Sequence, residues 1–208
     1  YSNEKVKFKK RKKEQKSSAI TMTSIQVAVR VRPFNSREQK YCSSLVIDMK
    51  GQNITEITEM RNGKATANMP PRTFNFDHSF WTHSKEGAIL PEVDPVLNCV
   101  SDESVLKTQE RIYATQAFVY AQIGQPMLEN ALKGFNACLF AYGQTGSGKT
   151  HTMMGYGADK GVIPRLCDEL FQRKVVLEKS SGAEWGIAMG FIEIYNEKVM
   201  DLLSPKVA

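Results

Sequence analysis

Nowhere in the 208 residues is there a run of about 18 apolar side chains, so the sequence offers no membrane-spanning helix. The lysine-rich start is followed by no apolar core of a signal peptide. Cysteine is scarce and scattered. Cys42, Cys99, Cys138 and Cys167 form no C-x-x-C pair, which excludes the usual zinc-ribbon and redox spacings. Reduced core or loop thiols of an intracellular protein are expected. Histidine is also rare: His78 and His83 read as loop residues, not as a metal pair. At 41% hydrophobic and 24% charged, the composition is that of a soluble globular domain.

The net charge of +6 has one source. Residues 1–16 carry eight basic and two acidic side chains, while the rest of the chain is balanced. The basic character therefore describes a tail. Residues 1–23 are expected to be a disordered basic arm, usable as an import signal or as a contact for an acidic polymer. No nucleic-acid partner is expected for the domain at 24–208.

Period-2 alternation over 25–31 predicts a strand, ended by Pro33. A short apolar run covers 44–48. Residues 54–59 and 65–69 flank Asn62-Gly63, a hairpin signal. Residues 72–77 read as another strand. Residues 84–112 hold Pro91, Pro95 and no clear period, and are expected to be a long loop with no core contacts. Residues 113–134 read as a helix that Pro126 kinks or divides. Cys138–Tyr142 is almost wholly apolar and is expected as a strand buried on both faces of a sheet, with Tyr142 at the sheet end. Ile163, Leu166, Cys167, Leu170 and Phe171 share one helical face, with Pro164 in the first turn. A turn is expected at 180–182, a strand over 185–195, and a short continuation over 196–203. This order predicts an α/β, three-layer P-loop NTPase fold: a central mixed β-sheet flanked by helices.

The strongest chemical signal is G-Q-T-G-S-G-K-T at Gly143, Gln144, Thr145, Gly146, Ser147, Gly148, Lys149 and Thr150. It has the form G-x-x-x-x-G-K-[ST]. Its glycines permit positive φ and let backbone N–H groups face phosphate oxygens, at the start of a helix whose first N–H groups are unpaired. Lysine reaches the phosphates and the Thr150 hydroxyl ligates Mg²⁺. An ATP-binding site with Mg²⁺ is expected. The sequence holds one D-x-x-G, Asp48–Gly51, far upstream of the loop, and a strand ending in a turn accounts for it.

Four segments in order resemble the kinesin motor family. Val27–Phe34 resembles its first strand with R-x-R-P. Phe140–Gly155 is similar to the family's P-loop and its H-T-M-x-G continuation. Gly161–Phe171 resembles its G-[IV]-I-P helix start, and Phe191–Leu203 its E-I-Y-N-E-x-x-x-D-L-L strand. Ser79–Ser84, with the I-G-Q-P-M-L and P-R-L-C-D-E-L-F runs, leans toward the kinesin-3 subfamily. The resemblance implies a microtubule-dependent ATPase that moves along microtubules in the cytoplasm, in a parent that dimerises through a coiled-coil stalk. It implies that Arg30, Arg32 and Pro33 flank the adenine and that His151 lies near the adenosine. Glu193 and Tyr195 are read as structural.

No residues match the family's N-x-x-S-S-R-S-H or D-L-A-G-S-E switch motifs, so no catalytic residue is assigned. The start at Tyr1 and the end at Ala208 suggest a fragment, the N-terminal portion of a motor domain, inactive alone. Residues 85–112 exceed the family's usual spacing and read as a surface insertion or retained non-coding sequence. The competing readings are a non-motile nucleotide-binding remnant and a small-molecule P-loop kinase, which would lack the R-x-R-P strand.

Overall fold

The computed structural model describes residues 25–61, 64–65, 69–94, 100–102, 107 and 110–204. The basic arm lies outside them, as does the Asn62-Gly63 turn.

Strand β1 (Ala28–Val31) carries the alternating run and ends before Pro33. It pairs in parallel with β7 (His78–Trp81), so Arg30 lies opposite Phe80. His78 is thus a strand residue rather than a loop residue, stacked on Phe80 at 5.5 Å. The strand period places it beside the core. Burial pulls its pKa below the ordinary value, and its Nδ1 is buried without a partner.

Helix α1 (Ser36–Lys40) is short and owes its start to a capping box: Glu38 N–H donates to Asn35 Oδ1, and Asn35 N–H to Glu38 Oε2. Strands β2 (Ile47–Lys50), β3 (Ile54–Ile57) and β6 (Arg72–Asn75) form an antiparallel sheet in the order β2-β3-β6. The expected hairpin is confined to β4 (Met60–Arg61) and β5 (Lys64–Ala65), because β3 is committed to β2 and β6 instead. A hydroxyl pair, Thr55 and Ser79 at 2.9 Å, joins this sheet to β7.

Among its described residues, the segment after β7 is loop, as expected, but it does reach the core. Val100 and Ile112 are buried in the main apolar cluster with Phe80, Phe118 and Tyr120. Single parallel bridges at Ile89–Ile112 and Trp81–Tyr113 draw its two ends together. Its apolar side chains supply contacts that the polar average of the segment conceals.

The predicted helix begins at Thr115, whose hydroxyl accepts from Phe118 N–H. It is divided, as Pro126 requires, into α2 (Gln116–Val119), a π-helical turn over Tyr120–Gly124, and α3 (Gln125–Leu132). The Gln125 N–H bonds the Tyr120 carbonyl five residues back, which reconciles the ladder with a proline that has no N–H.

Cys138–Tyr142 departs from expectation. It forms no strand and pairs with none of the described ones, and Phe140 and Tyr142 are 81% and 96% exposed. An apolar strand is buried only when neighbours flank it on both sides. Tyr142 therefore has no sheet-end packing, and Cys138 is exposed while Cys167 is half-buried.

The phosphate loop leads into α4 (Lys149–Met153). A small hairpin of β8 (Gly155–Tyr156) and β9 (Asp159–Lys160) follows, then α5 (Val162–Ser181). α5 buries Val162 and Glu169; of the predicted face, Leu166 packs against the core and Cys167 and Leu170 are half-buried, whereas Ile163 and Phe171 at its edges are exposed. It runs through Ser180 and Ser181, and the turn is made by Gly182 in the left-handed region at φ 67°. The last expected strand contracts to β10 (Ile192–Tyr195), which pairs antiparallel with β11 (Lys198–Asp201), a return strand rather than a continuation. Glu193 and Tyr195 lie in this exposed ribbon. Among the described residues no helix is long and apolar enough to cross a membrane, and no acidic, cysteine and histidine group could hold a metal.

Candidate nucleotide site

The loop before α4 is bent by its glycines. Gly143, at φ 153°, has Ser147 Oγ only 2.6 Å from where a Cβ would sit. Gly148, at φ 100°, opens α4 from the left-handed region that other residues avoid. Lys149 Nζ curls back to donate to the Gly143 carbonyl at 2.7 Å and the Gln144 carbonyl at 2.9 Å. The loop thus closes around the ammonium.

A cavity of about 750 Å³ opens beside this loop. Gly146, Ser147, Gly148, Lys149, Thr150 and His151 line one side, and Arg30, Arg32 and Pro33 line another. Nine of the twelve residues singled out from the sequence therefore meet here. Gly143, Gln144 and Thr145 are not in the wall; the first two act through their carbonyls on Lys149. Its size suits a small-molecule ligand.

The two arginines line the cavity, but their charged heads are spoken for. Arg30 donates to Gln116 Oε1 at 2.7 Å, Thr152 Oγ1 at 3.1 Å and the Ala114 carbonyl at 3.5 Å. Burial brings its pKa down to about 10, still cationic at neutral pH. Arg32 grips Glu38 with two bonds of 2.7 Å and donates to the Pro33 carbonyl. That bidentate pair, with the Asn35 N–H, holds the Glu38 carboxyl down at about 2. The arginines therefore fix the wall that Pro33 presents.

His151 Nε2 lies 3.3 Å from Asp159 Oδ2, and its ring tilts against Tyr156 at 5.7 Å between centroids. Tyr156 and Asp159, from the β8–β9 hairpin, were not evident in the sequence, and neither were Thr82, Lys85, Tyr113 and Gln116, which also line the cavity. Only Gln116 left a trace, as a polar residue in an otherwise apolar helix start. Asp48 stands elsewhere, ion-paired with Arg111, whose guanidinium also stacks on Trp81. Gly51, at φ 59°, makes the turn that follows, so the D-x-x-G is a strand end and not part of this site.

The donor set fits a nucleoside triphosphate. Glycines keep the backbone open to an anion, Lys149 supplies charge, the Thr150 hydroxyl suits Mg²⁺, and Pro33, His151 and Tyr156 offer flat surfaces for a base.

Comparison with known proteins gives one answer. The kinesin motor domain profile matches residues 30–208. Kinesin-like protein KIF13A of Mus musculus is 41% identical over 184 residues, covering 88% of this chain and 9% of that protein. Kinesin-like protein KIF1B of Rattus norvegicus is 42% identical over 185 residues, with the same coverage. A solved structure of a KIF14 dimer with AMP-PNP, in complex with a microtubule, superposes with a TM-score of 0.67 at 35% identity. It covers 87% of this chain and 41% of that one. The chain thus spans about 9% of the length of the curated relatives it matches.

Proposed function

The chain belongs to the kinesin motor family, and on that premise we propose that it is the ATP-binding portion of a microtubule-based motor. The observation that carries this reading is a single one. The R-x-R-P residues at the end of β1 and just after it, and the phosphate loop before α4, far apart in sequence, face one cavity.

In this reading the backbone N–H groups of Gly146–Thr150 and the Lys149 ammonium hold the phosphates. The Thr150 hydroxyl holds Mg²⁺, whose charge neutralises the phosphate oxygens. Pro33, His151 and Tyr156 flank the base. Arg30 and Arg32 are positioning residues, acting through Gln116 and Glu38. The family's track and the microtubule in the KIF14 complex support a microtubule partner and a cytoskeletal, cytoplasmic location for the parent motor. The parent would hydrolyse ATP in a microtubule-dependent way and dimerise through a stalk. This chain, without the switch motifs, would bind ATP but not turn it over faster on microtubules.

Titration of the chain with a fluorescent ATP analogue tests the site. Mg²⁺-dependent binding is expected, weakened at least about tenfold in Lys149→Ala, the scale of a lost charge-assisted contact. Equal affinity in that variant would remove the reading. Phosphate release with and without microtubules tests the division of labour, and clear stimulation would refute it.

A further inference from the structure

The charges that line the nucleotide cavity do not balance: Arg30, Lys85 and Lys149 carry positive charge with no carboxylate against them in an ion pair among the described residues. Besides the phenols of Tyr113 and Tyr156, the ionisable groups among the described residues of the wall are Arg30, Arg32, Lys85, Lys149, His151 and one carboxylate, Asp159. Arg32 is neutralised by Glu38, outside the cavity. Arg30 is held by Gln116, Thr152 and the Ala114 carbonyl. Lys149 is ringed by carbonyls of its own loop. Asp159 faces His151. Lys85 differs from Arg30 and Lys149 in that a ring, and not a set of oxygen acceptors, holds its charge. Its ammonium sits 5.6 Å above the Tyr113 ring, and no carboxylate stands against it in an ion pair among the described residues.

Its placement is built rather than incidental. Lys85 opens the long segment between β7 and α2, and Tyr113 closes it. Tyr113 N–H donates to the Ile89 carbonyl at 2.7 Å, and Ile89 N–H to the Arg111 carbonyl at 2.8 Å. Ala114 N–H donates to the Trp81 carbonyl at 2.7 Å. Arg111 is held in turn by Trp81 and Asp48. Both feet of the segment are stitched to the end of β7, and both feet carry a side chain into the cavity wall. A tyrosine ring steers an ammonium without neutralising it, so the charge remains available to an anion.

Resting on the ATP-site reading, we propose that Lys85, steadied by Tyr113, is a second phosphate-attracting cation of this cavity, supplied by the segment at 85–112. Its role is recognition: it strengthens binding of the polyphosphate and leaves the nucleoside contacts to other residues. Being exposed at the mouth, it acts through a screened field, so its contribution falls with salt.

The test uses the whole 208-residue chain, a fluorescent ATP analogue, and displacement by ATP, tripolyphosphate and adenosine. Lys85→Met keeps the stem and removes the charge; Lys85→Arg keeps the charge. At low salt, Lys85→Met should weaken ATP and tripolyphosphate by about three- to tenfold, leave adenosine unchanged, and converge on the parent as salt rises. Lys85→Arg should retain most of the affinity. Unchanged ATP and tripolyphosphate binding in Lys85→Met, with Lys149→Ala still weakened, would overturn the proposal and leave the ATP site standing. An equal loss of adenosine would overturn it too, making Lys85 a packing partner of Tyr113. Indifference to both Lys149→Ala and Lys85→Met would remove the ATP-site reading itself.

Discussion

Arg30 Nη1 donates to Gln116 Oε1 at 2.7 Å, and the same Gln116 donates from Nε2 to the His151 carbonyl at 2.6 Å. One amide thus joins β1, the start of α2 and the helix that follows the phosphate loop. Gln116 is only 3% exposed, so its amide makes these bonds largely shielded from solvent. Gln116→Ala should remove the shortest bond of a buried guanidinium and cost about 1–2 kcal/mol of stability, read as a lower midpoint in denaturant. It should also weaken ATP binding by shifting α4. Arg30→Lys should not restore the brace in its stead, since an ammonium cannot reproduce the fork. A midpoint unchanged in Gln116→Ala would contradict this account.

The Arg32–Glu38 pair sets a pH limit on the Pro33 wall. Glu38 holds its proton less tightly folded, at about 2, than at the ordinary 4.5, because Arg32 and the Asn35 N–H favour the anion. The arrangement is therefore fully favoured above 4.5 and is lost as pH falls through about 2. Carbon-13 NMR of the Glu38 carboxyl should give a midpoint well below that of a free glutamate, and Arg32→Met should return it toward 4.5. A normal midpoint in the parent chain would dismiss the capping box as a clamp on Arg32.

These two contacts show where the sequence is readable. The phosphate loop is a local pattern: glycine spacing, lysine and threonine state its geometry within eight residues, and the structure bends as that spacing requires. The helix divided at Pro126 is local in the same sense. The Arg30–Gln116 brace joins residues far apart in the chain, and a lone glutamine announces nothing about its partner. Cys138–Tyr142 fails for a related reason. Its apolar run states what the strand prefers to bury, but burial depends on which strands lie beside it, and none of the described ones does. Lys85 lay in the least periodic part of the sequence, so only the fold of that segment brought it to the cavity.

Gly124 is a glycine for packing rather than for backbone freedom. A Cβ there would stand 2.3 Å from Tyr120 Cδ2 and 3.2 Å from Val162 Cγ1. Tyr120 cannot yield, since it is fully buried with its hydroxyl donating to Glu169 Oε2 at 2.8 Å. Glu169 is itself held by Arg173. Gly124→Ala should therefore destabilise by about 1–3 kcal/mol despite alanine's better helix propensity. Thermal unfolding would show it, and an equal or higher Tm would mean that the π-helical turn relaxes at no cost.

The β10–β11 ribbon carries a correctable strain. Tyr195 pairs with Lys198, so Asn196 and Glu197 alone make the turn, with φ of 47° and 62°. Two successive positive φ angles are the mark of a type I′ turn, whose favoured sequence is Asn-Gly. Asparagine tolerates the left-handed region, but glutamate pays about 1 kcal/mol for it. Because both strands are exposed, this strain weighs on the ribbon and hardly on the core. Glu197→Gly should leave the global Tm nearly unchanged, yet slow hydrogen exchange of the amides paired across β10 and β11 by about threefold. Asn196→Ala should quicken it. Faster exchange in Glu197→Gly would mean that glycine's extra freedom in the unfolded ribbon outweighs the relief of the turn, and that the strain is not what limits its pairing.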